Sequence, residues 1–194
     1  VKTLPAQAMC IVVGLGVLII ILTYPFSELI FKAFGADQNI LTYAIDYYEI
    51  RIIGLPFTLF VFTVFGTFRG LQNTLHPMLI ALLGAILNII FDWILVYGID
   101  GIIPAMNVKG AAYASVISQI TMALAAGYLL HKKTSISLKF TLPFNKEIPK
   151  LIKMVLDLFL RTIALNAALM FAVFKATNYG SDQLAAYGIG IQLW

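Results

Sequence analysis

A chain of 194 residues that is 61% hydrophobic, 11% charged and +4 in net charge does not read as a soluble domain, where about a quarter of residues carry charge. Its single cysteine, Cys10, excludes an intrachain disulfide framework and a cysteine metal site. The mean hydropathy of +0.93 makes the Lys and Arg surplus a signal of membrane orientation, not of nucleic-acid binding.

The fold class expected is an all-α, polytopic transmembrane helical bundle, because sheet edges cannot face lipid unsatisfied. About 20 apolar helical residues cross a hydrocarbon core of about 30 Å. The first qualifying run is 8–31. The second, 43–68, opens with Asp46, Tyr47, Tyr48, Glu49 and Arg51. The tyrosines fit an interfacial aromatic belt. Arg51 can snorkel to that interface, reach back to Tyr47 or Tyr48, pair with an acid on another helix, or line a cavity. Gly54 and Pro56 follow. A proline inside a helix removes one hydrogen bond and bends the axis, so Pro56 is a second candidate cavity residue.

The third run, 76–98, holds Asn88 and Asp92 and no other charge inside it. A carboxylate at that depth costs about 3 kcal/mol or more, and it is tolerated where it faces a bundle interior or a wet cavity. Residues four apart share one helix face, so Gly84, Asn88 and Asp92 form a narrow polar, small-residue stripe. Asp92 is read as the one acid deep in a span.

The fourth run, 110–130, begins with Gly110, Ala111, Ala112, Ala114, Ser115 and Ser118. Such a stripe permits close helix packing. It also allows the Ser115 hydroxyl to turn toward Asp92, with Gln119 one turn below in the same cavity. Next comes the one long polar segment, 131–153, with His131, Lys132, Lys133, Lys139, Lys146, Lys150 and Lys153. Positive residues favour the cytoplasmic side. This segment and the turn 69–74 are therefore expected inside, and the loops 32–39 and 99–109 outside. Asn88 and Asp92 then fall in the outer half of the membrane. The fifth run, 151–174, carries Arg161, Thr162 and Asn166 in structural roles, and a sixth starts near Gln183. No nucleophile motif, Gly-rich phosphate loop or metal-spaced His pair occurs, so no enzyme is expected. A piece of a longer chain is expected too, since an apolar segment is under way at Trp194.

The stretches Arg51-Ile-Ile-Gly-Leu-Pro56, Phe68-Arg-Gly-Leu-Gln-Asn-Thr-Leu-His-Pro77, Asn88-Ile-Ile-Phe-Asp92 and Lys109-Gly-Ala-Ala-Tyr-Ala-Ser-Val-Ile-Ser-Gln119 resemble, in order and spacing, the multidrug and toxic compound extrusion (MATE) family. Leu160 to Leu165 and Leu184 to Trp194 resemble the start of its second half, most like its DinF-like branch. The resemblance implies a twelve-helix, two-lobe transporter. Residues 1–133 would belong to the N-terminal lobe with four transmembrane helices, 134–150 to a cytoplasmic linker, and 151–194 to the start of the C-terminal lobe. It further implies an ion or proton site at Asp92 and Asn88. Ser115 stands where the family often has Thr. A further acid would lie on a first helix outside these residues.

The function expected is H+- or Na+-coupled antiport that exports organic, cationic compounds, without a cofactor, by a multi-pass monomer of the inner or plasma membrane. Its partners would be the lipid bilayer and small organic substrates. Two rival readings are a lipid-linked oligosaccharide flippase, which calls for several cations along the cavity, and a non-transporting scaffold, for which a buried acid has no use.

Overall fold

A computed structural model describes residues 4–33, 38–99, 101–134 and 147–177. The chain divides into two compact units, Val1–Asn145 and Lys146–Trp194. The described residues form helices α1 (Leu4–Thr23), α2 (Ser27–Ala33), α3 (Gln38–Ile52), α4 (Leu55–Gly70), α5 (Leu75–Tyr97), α6 (Asn107–Lys133) and α7 (Ile148–Thr177), and no strand. The first unit contains α1 to α6.

Helices α1 and α2 are joined by a short 3-10 turn at Tyr24–Phe26, and the stretch Pro5–Lys32 is long and apolar enough for one span. Leu75–Tyr97 and Asn107–Lys133 also qualify. Helices α3 and α4, over Leu41–Ile52 and Leu55–Gly70, are bent by 48° and together are long and apolar enough for one broken span. The break follows from Pro56, which has no N–H to offer the Ile52 carbonyl and whose ring crowds it. Gly54 turns the chain with its N–H on the Arg51 carbonyl at 3.1 Å, and α4 restarts with proline in its first turn.

Helix α4 ends in a Schellman turn. Asn73 N–H donates to the Phe68 carbonyl and Gln72 N–H to the Arg69 carbonyl, each at 2.9 Å. Gln72 therefore adopts φ 59°. The Asn73 Oδ1 then accepts the His76 backbone N–H at 3.2 Å and caps the start of α5. Helices α5 and α6 pair through the loop after Tyr97. There Gly98 has φ 78°, and Met106 N–H returns to the Leu95 carbonyl at 2.9 Å.

The core joins Met9 of α1, Val64 and Phe68 of α4, Ile80 of α5, and Ala126 and Leu130 of α6. Glycines set how closely the helices approach. A Cβ on Gly110 would collide with the Leu95 carbonyl, and one on Gly84 with the Met122 sulfur. Large apolar side chains such as Ile89, Trp93 and Leu124 point outward. In water this would be an aggregating surface, whereas lipid accommodates it.

The second unit is described through α7. This helix has 30 residues and a candidate span at Ile152–Ala172. Thr162 and Asn166 bond back to their own helix, to the carbonyls of Leu158 and Thr162, each at 2.8 Å. The sixth run near Gln183 and most of the proposed linker lie outside the described residues.

Candidate functional site

Four helices of the first unit enclose a cavity of about 440 Å³. Arg51 enters it from the last turn of α3, and Thr58, Phe62 and Phe65 from α4. Gly84 and Asn88 come from α5, and Ser115, Ser118, Gln119 and Met122 from α6. Its walls are mainly apolar, with a few convergent polar groups, the usual composition of a small-molecule site.

Asn88 Nδ2 donates to the Ser115 hydroxyl at 3.4 Å. The expectation that Ser115 would face Asp92 is corrected here. The Asp92 Oδ1 is buried and has no hydrogen-bond partner among the described residues. The cavity lining stops at Asn88, and Asp92 lies one turn beyond it on the same face of α5. The reason is geometric: α5 and α6 pack together at Gly84, against Met122, and at Gly110, against the Leu95 carbonyl, and between these points Ser115 comes level with Asn88. Ser118 is spent on its own helix, donating to the Ala114 carbonyl at 2.8 Å.

Gln119 occupies the notch left by the broken span. Its Oε1 packs against Gly54, where a Cβ would collide with it. That oxygen is buried and has no hydrogen-bond partner among the described residues. Arg51 does not bond Tyr47 or Tyr48; Tyr48 instead packs edge-on against Phe31, with ring centroids 5.6 Å apart. The acid near the mouth of these helices, Asp46, pairs with Lys109 at 3.1 Å, which ties α3 to α6.

Pro56, the other candidate cavity residue, does line a cavity, though not the polar one. It lines a separate apolar groove of about 540 Å³ with Val13, Phe57, Phe60, Leu124 and Tyr128. The bend turns the Pro56 ring away from the polar cavity, toward α1, where Gly16 admits it: a Cβ there would sit 3.1 Å from the Pro56 Cα.

Sequence reasoning missed three residues. Thr58 and Met122 line the polar cavity, and the i+3/i+4 stripes that begin at Gly54 and Ser118 could have found them. Asp157 lies inside the α7 candidate span, so Asp92 is not the one acid deep in a span. Among the described residues no three His, Cys, Asp or Glu side chains cluster as a metal site.

The fold and this cavity define a class, an all-α bundle of membrane-crossing helices around a partly polar pocket. Residues 1–94 match the MatE family model. Over 185 residues the chain is 29% identical to the multidrug export protein MepA of Staphylococcus aureus, covering 93% of this chain and 40% of that protein. MepA of Staphylococcus saprophyticus is 29% identical over 182 residues, with 92% and 39% covered. Among solved structures, a MATE protein in complex with MaD3S superposes with a TM-score of 0.86 at 25% identity, covering 96% of this chain and 42% of that one. An inward-facing multidrug resistance MATE family transporter gives 0.68 at 29% identity, with 77% and 33% covered. These matches support the MATE family for this chain, which spans about 40% of the length of the curated relatives it matches.

Proposed function

We propose that the protein containing this chain is a secondary transporter of the MATE type, in its DinF-like branch, exporting organic compounds in exchange for H+ or Na+. The observation that carries the coupling role is the orphaned Asp92 Oδ1, buried one helical turn from Asn88. A carboxyl oxygen left without a partner at membrane depth is costly, and binding a proton or a small hard cation relieves that cost. Oxygen donors from Asp92 and from the Asn88 amide suit Na+; a proton needs Asp92 alone. The polar cavity below would hold the exported compound, so the two sites share α5. The named function of the Staphylococcus relatives, multidrug export, supports the same reading, as does the cavity lining, which among the described residues has one charged side chain, too few for a pyrophosphate. A monomer in the cell membrane, with no cofactor, completes the proposal.

The test is efflux from proteoliposomes containing the full-length protein. A preloaded cationic dye should leave when a pH or Na+ gradient is imposed, and should stay when neither is present. Gradient-independent leakage, or no efflux under either gradient, would overturn it.

A further inference from the structure

We propose that Arg51 makes the polar cavity selective for amphiphiles that carry a carboxylate beside an apolar, aromatic body. The inference deepens the efflux reading by naming a substrate class for the same cavity.

Three observations support it. Among the described residues Arg51 is the single charged side chain lining the cavity, and no acid lines it. Among the described residues its guanidinium has no ion pair or hydrogen bond, while the nearby acid Asp46 is already taken by Lys109. A guanidinium presents a fork of donors that matches a carboxylate bidentately. Phe62, Phe65 and Met122 line the cavity too and offer an apolar, polarisable surface for aromatic rings. A ligand that is purely cationic gains the rings but meets Arg51 as a like charge. A zwitterion gains both.

The matched probes are rhodamine B, which has a free carboxylate, and its ethyl ester, which differs by losing it. Binding to the purified full-length protein in nanodiscs is measured by fluorescence anisotropy, alongside efflux of both dyes. Wild type should bind rhodamine B about tenfold more tightly than the ester, the worth of one charge-assisted contact. Arg51→Gln should erase that preference by weakening rhodamine B, with the ester changed by less than about twofold. Arg51→Lys, which retains the charge but loses the fork, should fall between. Equal binding of the two dyes by wild type overturns the proposal. So does a preference unchanged in Arg51→Gln. A parallel loss of both dyes together with a lowered unfolding temperature also overturns it, because Arg51 is then one half of a structural ion pair. Export of the ester by a wild type that shows no carboxylate preference sinks this inference and leaves the efflux reading standing; no export of either dye, with the binding preference intact, does the reverse.

Discussion

The Asn88 amide meets the Ser115 hydroxyl at 3.4 Å, and Asp92, one turn away on α5, has a buried carboxyl oxygen with no hydrogen-bond partner among the described residues. The amide is anchored to α6, and the acid carries no such tie among the described residues. Their roles should therefore separate under mutation.

Asp92→Asn retains size and hydrogen bonding but removes the titratable charge. In the full-length protein it should reach the membrane at normal levels and lose gradient-driven efflux by at least about tenfold, since each factor of ten needs only about 1.4 kcal/mol. Asn88→Ala should reduce efflux less, because a water can replace one amide. The measurement is initial efflux rate against the size of the imposed H+ or Na+ gradient. Normal rates with an unchanged gradient dependence in Asp92→Asn would show a structural carboxylate.

The two interhelical glycines should differ in cost. At Gly110 an added methyl meets the backbone carbonyl of Leu95, which cannot move without breaking the return of the Met106 N–H. At Gly84 it meets the end of the Met122 side chain, which can rotate. Gly110→Ala should destabilise by about 2–3 kcal/mol and Gly84→Ala by about 1 kcal/mol, the range for overpacking. Thermal unfolding in detergent gives the ranking; a larger loss at Gly84 would contradict it.

Gln72 holds a left-handed conformation, φ 59°, in the Schellman turn after α4. Glycine takes that conformation without a Cβ penalty. Gln72→Gly should stabilise by about 0.5–1 kcal/mol, while Gln72→Val should destabilise, because a β-branched residue fits φ above zero poorly. The same unfolding assay reads both signs.

Orientation is tested with cysteines at Asn107 and Ser137 in a Cys10-free background. A membrane-impermeant thiol reagent applied to intact cells should label position 107 and spare position 137. The reverse pattern would invert every inside and outside assignment made from the Lys and Arg bias.

The spans were legible because crossing hydrocarbon is a demand on composition, which a linear sequence records. Runs 76–98 and 110–130 anticipate Leu75–Tyr97 and Asn107–Lys133 within a few residues. The break in the second span was legible from Pro56, a covalent constraint that acts on its own helix whatever surrounds it. So was the shared face of Gly84, Asn88 and Asp92, which follows from helical pitch alone.

What lay beyond the sequence were relations between helices. That Ser115 comes level with Asn88 and not Asp92 depends on the axial offset of α5 against α6, which the contacts at Gly84 and Gly110 set. That Gln119 fills the notch at Gly54, and that Arg51 opens into a cavity while Pro56 faces a different groove, depends on the direction of the 48° bend. Local sequence determines that a helix breaks and which residues share its face. The direction and offset come from which neighbouring surfaces pack without collision, and only the assembled bundle contains those surfaces.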